Sequence, residues 1–301
     1  MSLSHLEDEL KNGLPSPVYL LNYKDYFYLV YALKMLGDSV DEGDRTFNFD
    51  VYDLDAGDEQ ASMAEIIDTL NMASLFAGRR FVCIKNFQKI LKGDTARLAK
   101  YVENPSSTSV LLLFNQLKEK DKRDQSPDKS LQAKPITLDF NERELFSWAQ
   151  KKIVSYGCSI TMEALKFLKE ICGDSISKFT NELDKLTLLG KKKIDTADAA
   201  EAVFGSKGFT IFQVAEAIIR GDKSNAIKMY VEIRDGLDEI MALGALNYKL
   251  EKSIKTGSPA FLKSYEYLNE ANKNLRGANQ KYPLEFLIYN LTSIFGSPPS
   301  R

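Results

Sequence analysis

Residues 17–33 read PVYLLNYKDYFYLVYAL. Behind Pro17, Val18 to Leu21 is an unbroken apolar run of strand length, the pattern of a strand covered on both faces. Asp25 is a helix N-cap type. After it Tyr28, Tyr31, Ala32 and Met35, and likewise Leu29, Leu33 and Leu36, recur at helical spacing until Gly37-Asp38. The stretch therefore predicts strand, turn, helix. In a nucleotide-binding α/β domain that first turn is glycine-rich, so that backbone N–H groups can approach the phosphates, and it ends in Gly-Lys-Ser/Thr. Here the turn is Asn22-Tyr23-Lys24-Asp25-Tyr26, with no glycine. The one Gly-Lys in the chain, Gly190-Lys191, lies in a helical region and is followed by Lys192.

Working outward, the alternating FNFDVYDLD (residues 47–55) predicts a second strand. Met63, Ile66, Ile67 and Leu70 form one apolar helix face. Arg80 to Ile84 predicts a third strand and Asp94 to Val102 a helix, broken at Asn104-Pro105-Ser106-Ser107. Ser109 to Phe114 and Ile136 to Phe140 give strands four and five. Strands alternating with helices imply a mainly parallel sheet, because each crossover needs a helix to return the chain. A magnesium site for nucleotide needs carboxylates at the end of the third strand, but Lys85-Asn86-Phe87-Gln88 stands there. The charged stretch Lys118 to Lys134, with Pro127, reads as a surface loop.

After residue 144 the pattern becomes wholly helical. Helices are expected over 145–154, 161–172, 175–189 and 196–204, with a seam of Ile176, Phe179, Leu183 and Leu186 in the third and a short basic break at Gly190 to Lys193. Gly205-Ser206-Lys207-Gly208 reads as a linker. Helices are expected again over 211–220, 223–234, 237–252, 260–274 and 283–295. The fold class is α/β plus all-α, in three parts: 1–143, 144–206 and 207–301.

Composition narrows the chemistry. Of 301 residues, 44% are apolar and 27% charged, with a net charge of −2, ordinary for a water-soluble chain. No apolar run nears the roughly 18 residues needed to span a bilayer, and no charged-then-apolar leader opens the chain, so a cytoplasmic protein is expected. His5 is the single histidine and is placed at a loose end, which removes Ser-His-Asp and Cys-His machinery. No CxxC or HExxH motif exists, so no metal is expected. Cys83, Cys158 and Cys172 read as reduced packing residues. Residues 38–68 carry eleven acids and one base, and residues 249–281 carry seven bases and three acids. Both read as solvated faces; the basic one also suits nucleic acid or an acidic partner, though it lacks clustered aromatics.

One corner breaks the usual rule that turns are polar. Residues 71–84, NMASLFAGRRFVCI, place Leu75 and Phe76 between a helix end and a strand. Gly78 frees the backbone there, and Arg79-Arg80 add charge. Pattern alone leaves two readings open: the pair tucks into its own domain, or it anchors a partner.

The order of parts resembles the delta-subunit family of the bacterial DNA polymerase III clamp loader. Residues 17–33 resemble the family's opening strand and helix. NMASLFAGRRFVCIKNFQKI (71–90) resembles its clamp-binding helix end and following strand. FTNELDKLTLL (179–189), KKIDTADAAEAV (192–203) and GFTIFQVAEAIIRGDKSNAIKMY (208–230) resemble its lid and the start of its collar. Tyr23 stands where the family usually has glycine, and Asn71 where many clamp-binding peptides have glutamine. The resemblance implies an AAA+-like N-terminal domain without working nucleotide motifs, a helical lid and a helical collar. It implies that Leu75 and Phe76, flanked by Asn71 and Met72, form a hydrophobic plug for the beta sliding clamp and help open one ring interface for loading on primed DNA. Other loader subunits would be held through the collar in a hetero-oligomer. No cofactor or nucleotide site is implied, and ATP hydrolysis and nucleotidyl transfer would lie in other subunits. The alternatives are a diverged nucleotide hydrolase and a helical adapter unrelated to replication. The delta-prime relative usually carries a zinc-binding cysteine cluster and a Ser-Arg-Cys stretch, and neither is present.

Overall fold

The computed structural model describes residues 3–57, 61–74, 78–117, 131–205, 211–254, 258–276 and 282–295. Its contacts divide the chain into two units, Met1–Glu144 and Leu145–Arg301.

The first unit is built on the apolar runs. Strands β1 (Val18–Tyr23), β2 (Phe49–Asp53), β3 (Arg80–Lys85), β4 (Ser109–Gln116) and β5 (Lys134–Leu138) pair in the order β2-β3-β4-β1-β5. Every pairing is parallel, with Leu21 opposite Phe114 and Val82 opposite Leu111. From Val110 to Phe114, β4 is fully buried, which is why it carries no polar alternation. The helices are α1 (Leu3–Lys11), α2 (Tyr26–Asp38), the single turn α3 (Arg45–Asn48), α4 (Met63–Asn71) and α5 (Lys92–Glu103), with a 3-10 turn at Phe87–Lys89. One core joins Val82, Ile84, Leu111 and Leu113 of the sheet to Met63, Ile66 and Leu70 of α4 and Leu98 of α5. Leu131, at the end of the charged stretch, is buried in that core; residues 118–130 lie outside the described residues.

Two readings of the first unit change. The alternation from Phe47 is not all strand. The Phe47 and Asn48 N–H groups both bond the Asp44 carbonyl, closing a helical turn, so β2 begins at Phe49. The N-terminal end is also not loose, since His5 lies in α1 and that helix buries Leu3 and Leu6.

The second unit is helical: α6 begins in the first unit (Glu142–Ser155), followed by α7 (Met162–Cys172), α8 (Ile176–Thr187), α9 (Thr196–Phe204), α10 (Ile211–Ile219), α11 (Lys223–Ile233), α12 (Glu239–Ser253), α13 (Pro259–Arg276) and α14 (Leu284–Phe295). The seam of α8 is buried at Ile176, Phe179, Leu183 and Leu186. The basic break contains a strand, β7 (Lys193–Ile194), pairing in parallel with β6 (Ser159–Ile160). Rings of Phe167, Phe212, Tyr248 and Phe204 meet tilted or edge-to-face across α7, α10, α12 and α9. Cys83 and Cys172 are buried thiols, and burial pushes the Cys172 thiol up to about 12; Cys158 is half-buried. Among the described residues no helix is long and apolar enough to cross a membrane.

Candidate functional site

The corner between α4 and β3 is built from a well-defined helix. Ser62 and Glu65 form a reciprocal capping box, the Ser62 hydroxyl accepting from the Glu65 N–H at 3.3 Å and the Glu65 carboxylate from the Ser62 N–H at 2.7 Å. Met63, Ile66 and Leu70 bury the inner face, and Ile67 packs at its margin. The helix stops because Met72 turns extended, at φ −64° and ψ 134°, while its N–H still bonds the Asp68 carbonyl at 3.0 Å. Asn71 and Met72 are exposed, Met72 by 55%. Leu75 and Phe76 lie outside the described residues. The chain re-enters at Gly78, whose φ of +145° lies in a region that L side chains rarely adopt.

Two side chains hold this corner in a way sequence reading missed. Arg79 and Arg80, read there as added charge at the corner, with Arg80 also opening the third strand, are backbone clamps. Arg80 is 7% exposed. It donates through Nε to the Phe47 carbonyl at 2.9 Å and through a terminal nitrogen to the Thr69 carbonyl at 3.3 Å, and it stands 3.5 Å from the Asp50 carboxylate. Burial pushes the Asp50 carboxyl upward and the guanidinium pulls it back down. Arg79 donates to the Leu14 carbonyl at 2.6 Å and the Ser109 carbonyl at 2.9 Å. The Ser109 hydroxyl donates to the Leu70 carbonyl at 2.8 Å. The last carbonyls of α4, orphaned by helix geometry, are thus capped by a guanidinium and a hydroxyl, and a cation at a helix C-terminus is favourable. Ser74 reaches buried Asn48 at 3.0 Å, pinning the departing chain. The available signal was positional. Arg80 opens a strand buried on both faces, and the first residue of such a strand shares its burial.

The other candidate place is the carboxyl end of the sheet, where α/β folds bind ligands. The turn after β1 directs a carboxylate at the helix start, with Asp25 accepting from the Phe27 N–H at 3.0 Å. That N–H is among the groups a phosphate would take. Tyr23 is buried, and burial pushes its hydroxyl up to about 12. Asn115 donates to Asn22 at 2.7 Å across β4 and β1. At the end of β3, Lys85 pairs with Asp53 at 2.8 Å and Asn86 donates to the same carboxylate at 2.6 Å. The strand ends are tied to one another by side chains. Among the described residues no group of three or more His, Cys, Asp or Glu is placed to hold a metal ion.

Residues 20–140, which contain both places, match the family model described as DNA polymerase III, delta subunit. Over those residues the α/β unit is similar to the DNA polymerase III delta-subunit family. Its five-stranded parallel sheet is the mainly parallel sheet expected from the alternation of strands and helices. No curated protein matches the chain by sequence. Among solved structures it is similar to the Bacillus subtilis DNA clamp loader delta protein, at 17% identity over 97% of this chain and 99% of that one, with a TM-score of 0.48. It is similar also to a DNA polymerase III gamma subunit-related protein from Thermotoga maritima, at 13% identity over 97% and 98%, TM-score 0.43. A RuvB point mutant from Thermotoga maritima aligns at 13% identity over 88% and 94%, TM-score 0.49.

Proposed function

We propose that the chain is the clamp-opening subunit of a DNA polymerase III clamp loader and has no nucleotide chemistry of its own. The observation that carries this is the family match, whose residues 20–140 include the α4–β3 corner. In this reading Leu75 and Phe76 enter an apolar pocket on the beta sliding clamp, with Asn71 and Met72 beside them. The exposure of Asn71 and Met72 and the anchoring of the flanking backbone by Arg79 and Arg80 support it, because a rigid mount lowers the entropy lost on binding. Residues 144–206 act as a lid and 207–301 as a collar that holds the other loader subunits, and primed DNA is met by the assembled complex.

Binding alone opens nothing. The subunit must favour the open ring over the closed one, since a ligand with equal affinity for both shifts no equilibrium. The occupied strand ends and the Asp25 carboxylate support the absence of nucleotide chemistry, and a titration with ATP and magnesium should show no saturable binding to the isolated chain.

The test of the plug is the double substitution Leu75→Ala, Phe76→Ala. Each side chain buried in a partner contributes about 1.5–3 kcal/mol, so affinity for the purified clamp should fall at least about 100-fold. The thermal midpoint should stay unchanged. Retained affinity in the folded double variant would overturn the plug.

A further inference from the structure

Helices α7 and α12 of the second unit lie very close together. A Cβ built on Gly244 would stand 2.6 Å from the Cα of Ile171 and 2.7 Å from the carbonyl oxygen of Glu170. Only a residue without a side chain lets α12 lie there. One turn onward, Asn247 reaches back, its Nδ2 donating to Glu170 Oε1 at 2.5 Å. With α13 closing the third side, a cavity of about 200 Å³ forms, with Glu170, Asn247, Asn269 and Asn272 as its polar lining and Leu243 and Leu268 as apolar walls. A second cavity of about 250 Å³ shares Asn247, Tyr265 and Leu268 with the first, so the two adjoin.

Glu170 is half-buried on this wall, and burial pushes its carboxyl up to about 7, although the Asn247 hydrogen bond pulls the other way. Among the described residues Glu170 forms no ion pair. The charged groups acting on it are Glu251, which raises it further, and Lys252, which lowers it. The Lys252 ammonium is itself engaged, donating to the Tyr248 hydroxyl at 2.7 Å and lying 4.5 Å from that ring's centre. The cavity is therefore lined by a carboxyl group and three side-chain amides, and among the described residues no cation pairs with that carboxyl.

We propose that this cavity is a socket for the side chain of an arginine presented by another protein chain. The guanidinium fork fits a carboxylate and neighbouring amide oxygens better than a point charge does. The leucine walls take the aliphatic stem, and Tyr265, 56% exposed at the rim, offers a ring face to the cation. Arginines seated in partly desolvated sockets are frequent binding hot spots. The inference concerns the second unit alone and does not rest on the clamp-binding reading.

The test titrates Nα-acetyl-L-arginine methylamide into the full chain at about pH 8, following the side-chain amide signals of Asn247, Asn269 and Asn272 by NMR. The norleucine analogue and methylguanidinium are the controls. The arginine derivative should bind, the norleucine analogue should not, and methylguanidinium should bind at least about tenfold more weakly for want of the stem contacts. Glu170→Gln, and separately a drop to about pH 5 in the unaltered chain, should each weaken the arginine derivative about tenfold or more, as loss of a charge-assisted hydrogen bond does. Unmoved signals, equal binding to Glu170→Gln, or affinity unchanged between the two pH values would overturn the proposal. Methylguanidinium binding as tightly as the arginine derivative would assign the cavity to a small free cation and overturn it too.

Discussion

Arg80 shows how much a single side chain decides at the corner. It is buried, it satisfies carbonyls from two separate segments, and it faces a carboxylate that burial already disfavours. Arg80→Ala strips all three partners at once. Removing one member of a buried pair costs about 3–5 kcal/mol, and because Asp50 is partly exposed the lower end applies, about 3 kcal/mol by urea unfolding. Adding Asp50→Asn should recover part of that loss, since the unpaired carboxylate disappears. Glu170 is shifted upward by burial as Asp50 is, but among the described residues has no guanidinium beside it. Its folded pKa is raised from 4.5 to about 7, so the protonated form is the one the fold prefers. Its contribution to stability is complete below about pH 4.5, falls as the pH rises toward 7, and is flat above. In Glu170→Gln the thermal midpoint should lose that decline between pH 4.5 and 7; a slope equal to the unaltered chain's would show that another group titrates there.

At the level of elements, the order strand–helix–strand was legible because apolar runs and helical spacing are strong local signals, and β4 declared its burial through Val110 to Phe114. What stayed hidden was whatever depends on partners distant in sequence. The turn α3 looked like strand because Phe47, Phe49 and Val51 alternate, and only the Asp44 carbonyl's bonds reveal the helix. Helix α1 is nine residues long, too short to stand by propensity alone, and it is held by packing at Leu3 and Leu6. The roles of Arg79 and Arg80 depend on carbonyls of residues 14, 47, 69 and 109, which no spacing rule gathers. Leu75 and Phe76, proposed to face the clamp, were chosen from an oddity of placement joined to a family resemblance, and the described residues reach to either side of them at Asn71, Met72 and Gly78. The α7–α12 contact yields a prediction of the same kind. Alanine in a helix gains up to about 1 kcal/mol over glycine. At Gly244, however, the new Cβ meets backbone atoms at 2.6 and 2.7 Å, and overpacking costs about 1–3 kcal/mol. Gly244→Ala should therefore destabilise by up to about 2 kcal/mol in thermal or urea unfolding, and a stabilised variant would show that the helices part easily.

Taken as a whole molecule, the chain divides between residues 144 and 145, and each side has a core of its own. One is the sheet with α4 and α5; the other is helical and includes Phe167, Phe179, Leu246 and Leu287. A unit of that size buries enough surface to fold alone, about two-thirds of what its unfolded chain exposes. The two proposed binding activities fall on opposite sides of the division, the clamp plug in the first unit and the arginine socket in the second. A fragment of residues 1–141, ending before α6, should therefore keep the clamp affinity of the full chain within about threefold, less than 1 kcal/mol, and should ignore the arginine derivative. In the full chain, Glu170→Gln should leave clamp affinity unchanged while weakening the arginine derivative about tenfold or more, and the Leu75, Phe76 double variant should lose clamp affinity and leave the arginine derivative's binding unchanged, since sites without shared partners act independently. Loss of clamp binding in a folded 1–141 fragment would mean that the helical unit supplies part of that surface. Coupling between the two sets of substitutions would mean that one site reports on the other.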